Sequence, residues 1–214
     1  MMKNPENHLQ TLSEIRNLME RSSRFISLSG LSGVSAGIFA LFGAAAAYQY
    51  LGVGLFSEAP YYTGALHQDG SLNWDFMQFF LLDAMLVLVL SISLGVYFTT
   101  HKARRQGQTI WDKTSARLVY NLLIPLGTGG IFCLILLYHN EIHLLAPVTL
   151  IFYGLALLNA SKYTLDDIRY LGITEIILGL IASLWVGYGL LFWSIGFGIL
   201  HIFYGMVMYF KYER

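Results

Sequence analysis

Long apolar runs separated by short polar segments are the dominant pattern along this chain. Six of these runs approach the roughly 20 residues that a helix needs to cross about 30 Å of hydrocarbon. They cover about residues 25–48, 76–99, 118–138, 144–160, 171–190 and 194–210. The last four form two tight hairpins, with turns at 139–143 and near 191–193. The pattern predicts an all-α fold in which residues 25–214 form a polytopic membrane helix bundle of six transmembrane helices.

The residues before the first run carry a different pattern. Apolar side chains recur there at intervals of three or four residues, with charged residues between them: Leu9, Leu12, Ile15, Leu18 and Met19. This spacing predicts a cytoplasmic amphipathic helix within residues 1–24. Two interpretations stay open. The helix lies on the membrane surface or caps the bundle, or it docks a cytosolic protein partner or a second copy of the chain.

The composition supports a membrane protein and excludes several other classes. Hydrophobic residues make up 56% of the chain and charged residues 12%, whereas a soluble domain carries about a quarter charged residues. A disordered tail, a nucleic-acid-binding module and a disulfide scaffold do not fit these values, and Cys133 is the single cysteine. No catalytic motif or cofactor motif occurs, so we expect a lipid bilayer as the surroundings, no cofactor and no nucleic acid partner.

The positions of the charges indicate an orientation, although the net charge is zero. All 13 Lys and Arg residues lie before the first run, between the second and third, between the fourth and fifth, or after the sixth. These segments share one side of the membrane if every run crosses it. Basic loops stay in the cytoplasm. The sequence therefore predicts that both termini are cytoplasmic.

A tetrapeptide repeat indicates a duplicated hairpin. Residues 151–154 and 202–205 both read Ile-Phe-Tyr-Gly, 51 residues apart and at the same point of two helices that run in the same direction. If the first two runs are a third, diverged copy, the bundle consists of three repeated hairpins around a pseudo-threefold axis. Chance is the alternative, because apolar helices use few residue types.

Three ionisable residues lie inside the apolar runs, where each is a candidate for function because its burial is costly. Asp83 lies eight residues beyond Asp75 and His201 seven beyond Ser194, which places them at roughly 12 and 10 Å depth from the outer side. We therefore expect Asp83 to face His201, with Tyr204 and Tyr153 nearby. The alternatives are a proton or ligand site and a structural hydrogen-bond network.

The third ionisable residue, Glu175, belongs to a second group near the cytoplasmic side. Glu175 lies six residues beyond Arg169, roughly 9 Å deep, with Asn121 at comparable depth. Pro125 removes the helical hydrogen bond to the Asn121 carbonyl, so a kink is expected there. A broken helix beside a carboxylate occurs in transporter sites, but kinks that serve packing alone are common.

Two further groups are candidates for packing and for metal binding. Ser29, Gly33 and Gly37 follow each other at four-residue spacing, which permits close helix approach either inside the bundle or at a homodimer seam. On the outer face, residues 139–143 contain the pattern His-x-Glu-x-His. These side chains are metal ligands only if the turn brings them together; otherwise they are ordinary loop residues. The three candidates are His139, Glu141 and His143.

Two segments carry a resemblance to known families. Residues 21–33 and 196–214 resemble a family of uncharacterised bacterial six-span integral membrane proteins, and the resemblance covers nearly the whole chain. It implies the bacterial inner membrane and no known activity. Residues 172–189 and 196–205 are similar, more loosely, to acid-resistance membrane proteins built from three glycine-containing hairpins.

These observations lead to three hypotheses about function. The first is a non-enzymatic inner-membrane protein, oligomeric, that serves as a sensing or scaffolding subunit through its N-terminal helix. The second is a small proton- or ion-coupled transporter or channel that uses Asp83, His201 and Glu175. The third is a membrane enzyme with an outer-face metal at His139, Glu141 and His143. The absence of a catalytic motif favours a non-enzymatic protein.

Overall fold

The computed structural model of the protein describes residues 25–56, 62–107 and 110–214. The predicted amphipathic helix of residues 1–24 lies outside the described residues. In the described part every named element is helical, apart from an isolated antiparallel bridge between Leu66 and Leu72.

Seven α-helices form the framework of these residues. In chain order they are α1 (Gly30–Leu51), α2 (Trp74–Arg105), α3 (Lys113–Tyr138), α4 (Leu145–Ala160), α5 (Asp167–Leu184), α6 (Gly189–Trp193) and α7 (His201–Tyr212). Single 3-10 turns occur at Ile142–Leu144, Ser161–Tyr163 and Val186–Tyr188. A π-helical segment, Ser194–Leu200, joins α6 to α7. The last 3-10 turn, α6, the π-helical segment and α7 together form one long helix, Val186–Tyr212, called here the C-terminal span.

Within the described residues, five helices are long and apolar enough to cross a membrane. They are Gly30–Leu51, Trp74–Arg105, Lys113–Tyr138, Ile142–Tyr163 and Val186–Tyr212. The remaining long helix, α5, has 18 residues, of which Asp167, Arg169 and Glu175 are ionisable. The predicted all-α membrane bundle is confirmed at this level, whereas the sixth span and the repeat stay predictions.

The C-terminal hairpin differs from its predicted boundaries. We expected helices at 171–190 and 194–210 with a turn near 191–193, but α5 ends at Leu184 and the next helical residues begin at Val186. The break falls at Trp185, which has φ −119° and ψ 63°. This turn is as apolar as the helices beside it, so hydropathy does not mark it. The shift places every residue of the C-terminal span deeper than expected.

The helices differ in how much of their surface other helices cover. The C-terminal span packs on α1, while α4 packs on α5 and α3. Helices α2 and α3 lie at the periphery, α2 against α1 and α3 against α4. Both expose large apolar side chains, including Leu82, Met85 and Leu86 of α2 and Ile124 and Leu134 of α3. These exposed surfaces suit hydrocarbon surroundings.

Glycines permit very close approach at two helix crossings. A Cβ at Gly154 of α4 would lie 2.6 Å from the Gly172 carbonyl oxygen of α5. At Gly205 of α7, a Cβ would lie 2.7 Å from the Gly30 carbonyl oxygen of α1. Side chains do not fit at such distances, so glycine is required. Gly154 and Gly205 are the final residues of the two Ile-Phe-Tyr-Gly segments, and each lies at one of these crossings.

The small residues of α1 pack inside the bundle. A Cβ at Gly37 would lie 2.5 Å from the Gly198 carbonyl oxygen, and one at Gly33 would lie 3.1 Å from the Gly205 Cα. The chain's own C-terminal span therefore occupies this face, which leaves no seam there for a second copy. The third residue, Ser29, donates a hydrogen bond from its hydroxyl to Glu213 instead, at 3.1 Å.

A buried polar cluster closes the end of the bundle where α1 begins. The carboxylate of Glu213 accepts from the Gly30 amide at 2.5 Å and lies 3.5 Å from the Lys102 ammonium. Lys102, which is 8% exposed, also donates to the Leu28 carbonyl at 2.8 Å. An anion at a helix N-terminus satisfies free amides and the helix dipole. This cluster joins α1, α2 and the C-terminus.

We predict that Gly154→Ala destabilises the protein by about 1–3 kcal/mol, because the methyl group forces α4 and α5 apart. The measurement is the free energy of unfolding in detergent micelles. Gly130→Ala is the matched control, since a Cβ at Gly130 meets nothing within 4 Å. That control is expected to leave stability unchanged or to raise it by up to about 1 kcal/mol through helix propensity. Equal losses in the two variants would contradict the close crossing.

Candidate functional site

A carboxylate without hydrogen-bond donors lies in the centre of the bundle. Glu175 of α5 is 0% exposed, and neither of its carboxylate oxygens has a hydrogen-bond partner among the described residues. A Cβ at Gly196 would lie 2.5 Å from Glu175 Oε2. Glycine at position 196 therefore leaves the space that this carboxylate occupies against the C-terminal span.

His201 is the ionisable neighbour of Glu175. It is the first residue of α7, directly after the π-helical segment, and is 6% exposed. Its Nδ1 lies 2.9 Å from the Gly196 carbonyl oxygen. A π-helical turn has five-residue spacing, and such turns are frequent at functional sites. Here the wide turn brings the Gly196 carbonyl within reach of the His201 ring, five residues later.

Tyr153 of α4 completes the cluster. Its hydroxyl lies 2.7 Å from His201 Nε2. The Tyr153 ring also packs on Phe197, with 5.0 Å between ring centroids, and Phe197 stacks on His201 at 5.9 Å. Both ring nitrogens of His201 are thus engaged, and the imidazole is held in one orientation between α4 and the C-terminal span. We call Glu175, His201 and Tyr153 the Glu–His–Tyr cluster.

Glu175 and His201 lie close enough for the charge of one to depend on the charge of the other. Glu175 Oε1 lies 3.5 Å from His201 Nδ1, which is beyond hydrogen-bond range by roughly half an ångström. An isolated buried charge costs several kcal/mol. Two arrangements avoid it: a carboxylic acid beside neutral imidazole, or a carboxylate beside imidazolium. The two arrangements hold the same number of protons, but Nδ1 already carries the proton that it donates to the Gly196 carbonyl. Conversion of one into the other therefore requires the His201 ring to turn, or Nε2 on the Tyr153 side to take up the proton.

The predicted pairing of Asp83 with His201 is wrong. Asp83 is half-buried and its carboxylate faces α1, where a Cβ at Gly43 would lie 3.2 Å from Asp83 Oδ2. The error arose because His201 lies deeper in the membrane region than its predicted helix start implied. His201 lies 12 residues after Gly189 and 11 before Tyr212, and Glu175 lies eight after Asp167 and nine before Leu184. Both are therefore mid-helix, whereas Asp83 is nearer one end of α2.

Asn121 and Tyr204 lie outside the Glu–His–Tyr cluster. Pro125 leaves the Asn121 carbonyl without its helical donor, and the Asn159 side-chain amide donates to that carbonyl at 2.9 Å. The Asn121 side chain donates back to the Arg117 carbonyl at 2.8 Å. The Asn159–Asn121 hydrogen bond therefore has a structural role, because it joins α3 to α4. Tyr204 packs against an apolar cluster that includes Leu157 and Met208.

His139, Glu141 and His143 do not form a metal site in the described part of the chain. Among the described residues, no three His, Cys, Asp or Glu side chains are arranged to hold a metal ion. His143 Nδ1 lies 3.5 Å from Glu141 Oε2, while the ring of His139 packs edge-on against Tyr138 at 5.2 Å. The five-residue turn separates the side chains, so the His-x-Glu-x-His spacing does not bring them together.

Sequence reasoning named all three side chains of the cluster but missed the backbone that assembles them. Neither the Gly196 carbonyl nor the π-helical segment was expected. A signal was present in the run Gly196-Phe197-Gly198, since two glycines so close together weaken a regular helix. Both glycines are buried against other elements, at Glu175 and at Leu41.

Comparison with protein-family models, with curated proteins and with solved structures finds no match for this chain.

We predict that Tyr153→Phe lowers the free energy of unfolding by about 1–3 kcal/mol, because it leaves His201 Nε2 buried without a partner. Tyr204→Phe is the matched control, because its hydroxyl has no hydrogen bond to any described residue. Unfolding in detergent micelles measures the difference, and nitrogen-15 chemical shifts of His201 report the lost bond. The prediction is refuted if both variants leave stability and the His201 shifts as in the unaltered protein.

Proposed function

We propose that this protein conducts protons across the membrane and that its proton-binding site is the Glu–His–Tyr cluster. One observation carries the proposal: a fully buried carboxylate that no described residue donates a hydrogen bond to lies 3.5 Å from a buried imidazole. Ionisable residues inside membrane segments are rare and mark proton relays and ion pathways. A purely structural polar network would instead satisfy its acceptors.

Changes in the number of bound protons have large consequences in this cluster. With one proton shared between Glu175 and His201 the pair is neutral overall. Loss of that proton leaves a net negative charge in a buried position, and gain of a second leaves a net positive charge. Either state costs several kcal/mol unless the surroundings rearrange. Proton binding is therefore coupled to a change of conformation.

The helix that carries His201 is suited to such a change. Seven π-helical residues precede it, and Gly196 and Gly198 lie against Glu175 and Leu41. A segment that interrupts regular helical bonding beside an ionisable group is a recurrent feature of transporter sites. A shift of this segment by one hydrogen-bond register alters the distance between Glu175 and His201.

The membrane and orientation of this protein are part of the same proposal. We infer a bacterial inner-membrane protein with six spans and cytoplasmic termini, from the placement of every Lys and Arg on one side and from the family resemblance. The paired glycine crossings at Gly154 and Gly205 support duplication of a hairpin. The sensing or scaffolding role, a cytosolic partner for residues 1–24 and homo-oligomerisation stay predictions.

Proton flux into proteoliposomes tests the function. A pH-sensitive dye inside the vesicles reports acidification driven by a potassium diffusion potential. Glu175→Gln is expected to lower the flux by at least about tenfold, because it removes the group that exchanges the proton in the membrane interior. Glu141→Gln is the matched control, since Glu141 lies on the exposed outer turn, and its flux is expected to stay unchanged.

Two results would overturn this proposal. Flux through the unaltered protein that equals flux through protein-free vesicles would exclude proton transport. Flux that persists in Glu175→Gln would exclude this site. Infrared difference spectroscopy of the carboxyl band across a pH titration shows separately whether Glu175 exchanges a proton. Circular dichroism confirms that each variant is folded.

The proposed orientation, with cytoplasmic termini, can be tested by cysteine labelling. In a Cys133→Ala background, Gln68→Cys is expected to react with a membrane-impermeant maleimide added to intact cells, because the loop before α2 is external. Arg214→Cys, at the opposite end of the bundle, is expected to react only after the cells are permeabilised. The reverse labelling pattern would place the termini outside, and labelling of both cysteines in intact cells would contradict an even number of spans.

A further inference from the structure

A lateral groove separates α3 from α4 near the end of the bundle that carries Lys162. Its volume is about 520 Å³, within the range of small-molecule sites. The groove is lined by Pro125, Thr128, Phe152, Leu155, Leu158, Asn159 and Lys162. None of these residues belongs to the Glu–His–Tyr cluster, so the groove is a separate feature.

The groove exists because α3 lacks side-chain bulk and regular helical bonding at this level. Pro125 interrupts the hydrogen bonding of α3, and Asn159 of α4 bonds to the freed Asn121 carbonyl. Gly129 of α3 faces α4, where a Cβ would clash with Phe152. The two helices are thus joined at the Asn121–Asn159 contact and at Gly129, and the groove opens to the side between Pro125 and Lys162.

The lining is amphipathic along its length. Phe152, Leu155 and Leu158 form an apolar wall, whereas Asn159 and Lys162 lie at one end. Lys162 is exposed, and its ammonium donates only a long hydrogen bond to Asn159 Oδ1, at 3.4 Å. No carboxylate in the described part of the chain lies within ion-pair distance of it. A positive charge at the mouth of an apolar groove complements an anionic amphiphile.

The length of the groove matches one membrane leaflet. Lys162 and Phe152 are ten residues apart, which is roughly 15 Å along a helix. This is about half of the 30 Å hydrocarbon thickness. The polar end lies where α4 ends, at the level where a headgroup would be found, and the apolar wall reaches toward the bilayer centre.

We propose that this groove binds one anionic phospholipid. The phosphate lies at Lys162 and Asn159, and one acyl chain lies along Phe152, Leu155 and Leu158 beside Pro125. A lateral opening admits a ligand from the bilayer without any path through the bundle. The charge at the mouth selects an anionic over a zwitterionic headgroup, and the apolar wall requires an acyl chain in addition to the phosphate.

Native mass spectrometry of the full chain in detergent micelles tests the proposal, with phosphatidylglycerol and phosphatidylcholine as the two probes. The unaltered protein is expected to retain one phosphatidylglycerol in preference to phosphatidylcholine by about fivefold, the effect of one basic residue on an anionic lipid. Lys162→Gln is expected to abolish this preference. Lys113→Gln, an exposed lysine outside the groove, is the matched control and is expected to keep it.

Two further measurements distinguish binding of the whole lipid from binding of its headgroup alone. Glycerol phosphate is expected not to displace the bound phosphatidylglycerol, because it lacks the acyl chain. Leu155→Trp, which fills the groove, is expected to lower retention of both lipids. Displacement by glycerol phosphate, or a preference that survives Lys162→Gln, would overturn the proposal. If Leu155→Trp does not fold, Lys162→Gln and the headgroup competition decide the question.

Discussion

Contact between helix backbones at glycine residues is the constraint on which the rest of this structure depends. In a bilayer the hydrocarbon offers little hydrophobic force between helices, so association relies on close packing and internal hydrogen bonds. Gly30 and Gly205 bring α1 against the C-terminal span, and Gly154 and Gly172 bring α4 against α5. The helices so joined carry the Glu–His–Tyr cluster, whereas α2 and α3 remain at the periphery.

The same close packing produces the Glu–His–Tyr cluster. Each of its side chains comes from a different helical segment, and the segments approach so closely that Tyr153 is hydrogen-bonded to His201 and Glu175 lies 3.5 Å from it. Gly196 serves twice, because its missing side chain admits the Glu175 carboxylate and its carbonyl accepts from His201. The cost of burying these groups is offset for His201, both of whose ring nitrogens have partners, but not for Glu175. That imbalance is the observation on which the proposed proton-binding role rests.

A second buried ionisable cluster, around Glu213, is satisfied. Glu213 accepts hydrogen bonds from Ser29 and Gly30 and lies beside Lys102, which donates to a backbone carbonyl. Its charges compensate one another, and its position at the end of α1 explains it fully as a cap. The contrast with Glu175 shows that burial of a charged residue alone does not identify a functional group.

Much of the fold followed from sequence, but the pairing of its polar residues did not. Apolar runs identified the long helices, and Pro125 identified the point where Asn121 needs a new donor, which Asn159 supplies. The His201 partner was predicted wrongly because the turn at Trp185 is apolar and leaves no hydropathy signal. An error of a few residues in a helix end displaces every later residue along the membrane normal, at roughly 1.5 Å per residue.

By itself, the sequence determined which segments are helical, the segregation of basic residues between alternate loops, and the presence of two carboxylates and one histidine within apolar helices. These properties depend on composition and local spacing. Only the tertiary structure decided that His201 lies between Glu175 and Tyr153, that Gly33 and Gly37 face the chain's own C-terminal span, and that a groove opens beside Pro125. Such contacts depend on helix depth, rotation and the five-residue π turn, which arise when whole helices pack together.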